Sequence, residues 1–240
     1  LTFTPVKNLK LSVGNSIIYA EKTIQGAYLI PIAFYKSIDH TLTKGLGIEN
    51  QNSQMFLNVS SRNIKHSHIY GSVFIDEFSF DRLLPDNAEA NPVSVKIGAN
   101  ITNFPLQNLS AIAEFTRTNI LNYKHSISVL TYSSNSYNLG HYLGDNAQEI
   151  YLALLYKPFR GIDLKLTYTD AKHGNEYDFI RRGTSNGLTG NVRGIISQPS
   201  LGEIIWSNKT LSFGGVYEIN NNGYEVFQID NRKINNNETK

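Results

Sequence analysis

Apolar and polar residues alternate with a period of two along most of this 240-residue chain. That is the pattern of strands with one face in an apolar medium and the other in a polar one. Leu9, Leu11 and Val13 alternate with Lys10, Ser12 and Gly14. Met55, Leu57 and Val59 stand against Gln54, Phe56, Asn58 and Ser60; Ile69, Val73 and Ile75 stand against His68, Tyr70, Ser72 and Asp76. Val95, Ile97, Ala99 and Ile101 alternate with Lys96, Gly98, Asn100 and Thr102. Leu109, Ala111, Ala113 and Phe115 follow, then Ile150, Leu152, Leu154 and Tyr156. The cleanest set is Ile162, Leu164, Leu166 and Tyr168 against Asp163, Lys165, Thr167 and Thr169. Further strands are predicted over 203–207, 210–218 and 223–229, and helical periodicity is almost absent.

The links between these segments alternate in length. Short, turn-like links fall at 5–8, 62–65, 103–107, 158–161 and 220–223, and long polar links at 21–49, 81–92, 119–148 and 171–201. Tight turns at one end and long loops at the other are the connection rule of an outer-membrane barrel. The fold expected is therefore all-β: a transmembrane antiparallel β-barrel with about ten strands visible and long extracellular loops. Closure is the physical requirement, because in lipid every backbone N–H and C=O needs an internal partner. One loop has an apolar centre from Tyr28 to Tyr35, which suits a plug, a cap or a short amphipathic helix.

Composition changes this picture little but removes rivals. Lys and Arg number 22 against 20 Asp and Glu, a net charge of +2, which provides no basic field for nucleic acid. Cysteine is absent, which excludes a disulfide scaffold, a thiolate metal site and a Cys nucleophile. Mean hydropathy is -0.28 and no apolar run reaches the roughly 20 residues of a membrane helix. A barrel escapes that test because its strands are half polar. On a barrel, Lys10, Lys96, Glu114, Asp163 and Lys165 would face the lumen; in a sandwich core they would be buried charges. The 14 Tyr can form interfacial girdles, or can reflect the ordinary preference of Tyr for strands. The chain starts like the tail of a strand and stops in a polar run, so it is expected to be one partial barrel domain, residues 1–240, truncated at both ends. The competing expectation is a complete soluble domain with frayed termini.

Several segments resemble the Wzi-type capsule-assembly family of outer-membrane barrels, closest to its branch with gliding-motility surface proteins. They are Glu49-Asn-Gln-Asn-Ser-Gln54, Ile69-Tyr-Gly-Ser-Val-Phe-Ile-Asp-Glu-Phe78 and Ala113-Glu-Phe-Thr-Arg117. With them go Asn138-Leu-Gly-His-Tyr-Leu-Gly-Asp-Asn-Ala147 with Gln148-Glu-Ile-Tyr151, and Leu166-Thr-Tyr-Thr-Asp-Ala-Lys-His-Gly174. The resemblance spans about 9–182; beyond it the match is to barrels in general. It implies the C-terminal portion of a larger barrel in the bacterial outer membrane. It also implies a role in holding capsular polysaccharide through surface loops. The family's individual binding residues have no match here.

Candidate chemistry is sparse. His66 and His68 share a strand face but have no carboxylate completing a metal site, so no metal is expected. Asp76 and Glu77 are adjacent and point to opposite faces, unlike a glycosidase dyad. No Gly-x-Ser-x-Gly elbow occurs, so no enzyme and no cofactor is expected. The loop around His141 can bind glycan hydroxyls; alternatively Gly140 and Gly144 supply positive φ to a compact turn that Asp145 and Asn146 cap. Arg181 and Arg182 suit an acidic polysaccharide or a lipopolysaccharide phosphate, or are solvated loop charges. The glycan-binding candidates are Tyr132, Tyr137, His141, Tyr142, Asp145, Asn146, Tyr177, Arg181 and Arg182. Expected partners are membrane lipid, lipopolysaccharide, surface polysaccharide and other outer-membrane proteins. The alternative function is a barrel subunit of a gliding or secretion assembly, for which the apolar 28–35 segment would serve as the protein contact.

Overall fold

The alternating segments pair side by side, each with the next along the chain. The computed structural model describes residues 1–19, 26–30, 32–46, 51–76, 91–125, 127–175, 180–183, 189–192, 201–220 and 223–236. Strands β1 (Thr2–Val6) and β2 (Leu9–Tyr19) lead to helix α1 (Tyr35–Leu46). Then come β3 (Gln51–Ser61), β4 (Ser67–Ile75), β5 (Val93–Thr102) and β6 (Leu109–Thr118). A two-residue hairpin, β7 (Ser133–Ser134) and β8 (Tyr137–Asn138), precedes β9 (Ala147–Tyr156) and β10 (Ile162–Gly174). A second hairpin, β11 (Ile180–Gly183) and β12 (Thr189–Val192), precedes β13 (Ile204–Asn220) and β14 (Gly223–Asn236). Ten strands form one antiparallel meander in the order β1-β2-β3-β4-β5-β6-β9-β10-β13-β14. β1 and β14 are its two edges, and the sheet is open between them. Among the described residues no helix is long and apolar enough to cross a membrane.

All five tight turns lie at one end of the sheet and all four long connections at the other, as the alternating link lengths predict. Asparagine does much of the turning. Asn8, Asn103 and Asn108 take positive φ, and Gly161 does so between β9 and β10. Asn tolerates this region because its short side chain bonds locally; the Asn103 carboxamide accepts the Asn108 N–H at 2.9 Å. The predicted strands at 203–207 and 210–218 are one strand. Asn208 and Lys209 carry polar side chains, but their backbones pair with Ala171 and Asp170 on one side and with Ile234 and Lys233 on the other. A ladder on both sides holds a polar run extended.

Register sorts the sheet into two faces. One row runs Ala99, Ala113, Leu152, Tyr168, Leu211 across β5 to β13. The next runs Ile101, Ala111, Leu154, Leu166, Phe213, Ile229. This apolar face is open: Ile97 is 55% exposed and Leu154 45%. From Ile150 to Tyr156 it extends about 20 Å along the strand, six steps of roughly 3.4 Å. The opposite face carries Lys96, Glu114 and Lys165, as the alternation predicts. There Tyr70 donates to Glu114, and Lys96 lies 3.4 Å from the same carboxylate. Gly98 pairs with Tyr70, whose ring lies over it; a Cβ at Gly98 would stand 2.6 Å from the ring. A strand glycine thus makes room for an aromatic partner.

Buried polar side chains collect on the polar face beneath the long connections. Gln54 is fully buried there, with Asn52, Ser94, Thr116 and Thr118 on the same face. Tyr123 packs on this side against Phe74, and the Leu130 carbonyl takes the Asn52 amide; Asn15 and Ser53, of the opposite parity, are covered by α1. The apolar 28–35 segment folds back partly as a cap: a 3-10 turn (Gly26–Leu29) buries Tyr28, and α1 follows. The Lys36 ammonium donates to the Ser53 and Asp76 carbonyls, and Ser53 donates to Asp39 on the same helix. Leu29, Ile30, Ile32 and Phe34 remain exposed.

Candidate functional site

The 119–146 connection is the best-defined surface at the long-loop end, and its geometry begins where β6 and β9 meet. Thr118 and Ala147 are cross-strand partners. The Thr118 hydroxyl donates to the Gly144 carbonyl at 2.8 Å and accepts the Ala147 N–H at 3.0 Å, clamping the loop's exit to its entry. Asn146, at φ 47, sends its amide to the carbonyls of Asn175 and Leu201 at 3.0 and 3.1 Å. Asp145 accepts the Tyr123 N–H at 2.8 Å. Both side chains are buried and spent on holding the backbone.

Tyr123 is the pivot of the loop. Its ring lies 5.3 Å from Phe74 and 6.2 Å from Tyr132, and Phe74 and Tyr132 are 4.9 Å apart. Its hydroxyl accepts the His141 N–H at 3.0 Å. Burial pushes the Tyr123 phenol above its ordinary pKa, and burial followed by the charge of Asp39 does the same to Tyr28. Leu130 is fully buried, and its carbonyl accepts the Asn52 amide at 3.2 Å. The loop therefore lies down on the polar face of β3 to β6 instead of standing away from the sheet.

What the loop presents outward is the Tyr142 ring, backed by a largely buried His141 and Glu149. Tyr142, 69% exposed, donates its hydroxyl to Glu149 at the start of β9. The His141 Nε2 lies 3.7 Å from the other Glu149 oxygen, and the His141 and Tyr142 rings are 4.7 Å apart. Tyr137 projects from the β7–β8 hairpin, 78% exposed. Rings with a hydrogen-bonding carboxylate and imidazole beside them suit a ligand with both C–H faces and hydroxyls. Among the described residues no three His, Asp or Glu converge as a metal site. His68 instead shares a 2.8 Å hydrogen bond with Ser60.

The sequence candidates thus fall into three groups. His141 and Tyr142 come together, with Glu149 added by the fold, and Tyr137 is exposed on the β7–β8 hairpin of the same loop. Tyr132, Asp145 and Asn146 build the loop beneath them. Arg181 and Arg182 lie on β11, opposite Asn191 and Gly190, with only their backbone described, and Tyr177 lies outside the described residues. The expectation of two positive-φ glycines holds for Gly144 at φ 73. Gly140 has another reason to be glycine: a Cβ there would overlap the Tyr123 ring. Sequence reasoning missed Tyr123 and Glu149. Strand parity could have found Glu149, which shares the polar face with Thr116; no local signal marks Tyr123. Comparison with protein-family models, with curated proteins and with solved structures found no match.

Proposed function

We propose that this chain is part of a transmembrane β-barrel of the bacterial outer membrane, related to the Wzi-type capsule-assembly barrels. On this reading it binds surface polysaccharide through its long loops and performs no chemistry. The membrane reading is supported by the open apolar face, the polar opposite face, and the separation of turns from long loops. The further strands or the edge pairing needed to close β1 and β14 belong to the whole protein. The observation that carries the binding role is the pair of exposed rings, Tyr137 and Tyr142, the second held by a largely buried His141 and Glu149, on a loop clamped to the sheet. A rigid platform of exposed rings loses little entropy when a sugar stacks on it. The second reading, a subunit of a gliding or secretion assembly, is favoured by the exposed Leu29, Ile30, Ile32 and Phe34.

The experiment is a pull-down of the tagged full-length protein from outer membranes in mild detergent, with sugar and polypeptide assayed together. Bound polysaccharide that free capsule displaces, and that Tyr137→Ala with Tyr142→Ala abolishes, supports the glycan role. A stoichiometric set of polypeptides without sugar, lost on Ile32→Asp with Phe34→Asp, supports the assembly role and removes the first.

A further inference from the structure

The apolar face is not uniform along its height. In its middle, Ala99, Ala111 and Ala113 are small, whereas Leu152 and Leu154, the partners of Ala113 and Ala111, and Leu166 beyond Leu154 are large. The mismatch leaves a hollow of about 390 Å³ on the exposed surface. The next two rows of the same face toward the long loops change character. One reads Val95, Arg117, Gln148, Lys172, Ser207, Asn235. The row below it reads Ile97, Phe115, Ile150, Asp170, Lys209, Lys233. Four cations stand there against one carboxylate. Asp170 takes Lys209 at 3.5 Å and Lys172 at 3.8 Å, which gathers the ammonium groups without neutralising the patch. At the turn end the corresponding rows hold Leu109, Tyr156, Leu164, Gly215 and Phe227, then Ile162, Tyr217 and Glu225, with no cation. The basic residues of the turn end, Lys7, Arg62, Lys65, Lys157 and Arg160, lie in the tight turns, whereas at the long-loop end they stand in the strand rows of this face.

We infer that this face carries a binding site for one lipopolysaccharide molecule, its phosphates held by Arg117, Lys172, Lys209 and Lys233 and an acyl chain seated in the alanine-lined hollow. The inference rests on the membrane reading above and names the lipid that reading leaves general. The basic rows lie at the long-loop end, which faces outward in an outer-membrane barrel, where the leaflet is lipopolysaccharide. From Arg117 on β6 to Lys233 on β14 the patch spans four strand spacings, about 19 Å. That width suits a headgroup with two separated phosphates better than a single phosphodiester. Arg and Lys bind phosphate by charge-assisted hydrogen bonds, and the apolar hollow directly beneath fixes where the chain must go.

The test uses the full-length protein in nonionic detergent, probed with deep-rough lipopolysaccharide, the same lipid stripped of phosphate, and phosphatidylglycerol. Native mass spectrometry counts bound lipid, and heat-modifiable gel migration reports the folded barrel. One lipopolysaccharide per chain is expected. Its affinity should fall at least tenfold in Lys172→Gln with Lys209→Gln, in Ala113→Leu, and for the phosphate-free lipid. Unchanged binding in folded forms of both variants overturns the inference, as does equal retention of phosphatidylglycerol. Folded, membrane-inserted protein that holds no lipopolysaccharide overturns it while leaving the membrane reading intact. Protein that never enters detergent or membrane overturns both.

Discussion

The two faces of the sheet invert the arrangement of a water-soluble protein. On one, Leu152, Leu154 and Leu211 lie roughly half exposed in an apolar band. On the other, Asn52, Gln54, Thr116 and Thr118 are buried. In water the first face would expose far more contiguous apolar area than a soluble monomer tolerates. The buried polar groups are affordable because part of their bonding is met by loop backbone and neighbouring side chains, as with Asn52 to Leu130, Ser16 to Gln54 and Thr118 to Gly144. On the membrane reading proposed above the first face meets lipid, while the second packs against the chain's own 119–146 loop.

The sharpest way to break the comparison is to place a charge on each face. Leu166→Arg should cost about 2–4 kcal/mol if the side chain meets mid-bilayer lipid. Lys165→Leu, one residue away on the other face, should change stability by less than about 0.5 kcal/mol. Denaturant unfolding of the full-length protein in lipid vesicles measures both, and equal effects would refute the assignment of faces.

A smaller effect tests whether the loop is part of the polar-side core. Asn146→Ala leaves the Asn175 and Leu201 carbonyls without their shared donor. It should cost about 1–3 kcal/mol and raise hydrogen exchange across 119–146 before the strands are affected.

The buried phenols of the two loop segments add a sensitivity to alkali. Tyr28 and Tyr123 have folded pKa values above the 10.0 of the free side chain, so the unfolded chain ionises first. Their contribution is complete below pH 10 and declines as pH rises from there toward the folded values. Tyr123→Phe should flatten the alkaline part of the stability–pH curve; an unchanged slope would show that the ring is not held as described.

The smallest effect belongs to the turn end. Lys157 and Asp163 are 2.7 Å apart but more than half exposed. Asp163→Asn should therefore change stability by no more than about 1 kcal/mol, and less in high salt.

Strand positions, the assignment of Leu164, Lys165 and Leu166 to opposite faces, and the ends at which turns and loops gather follow from the sequence alone. They are legible because side-chain direction in a strand repeats every two residues and a tight turn is written in its own few residues. The same locality explains what could not be read. Asn146 looks like a turn cap, yet its amide reaches Leu201, and Gly140 is glycine because Tyr123, far from it in sequence, lies over it. Glu149 joins the site only because the 119–146 loop folds back and brings Tyr142 and His141 to it. Alternation tells which side of a strand a residue faces; only the tertiary structure decides what lies down on that side, because such contacts join segments whose separation in sequence carries no periodic trace.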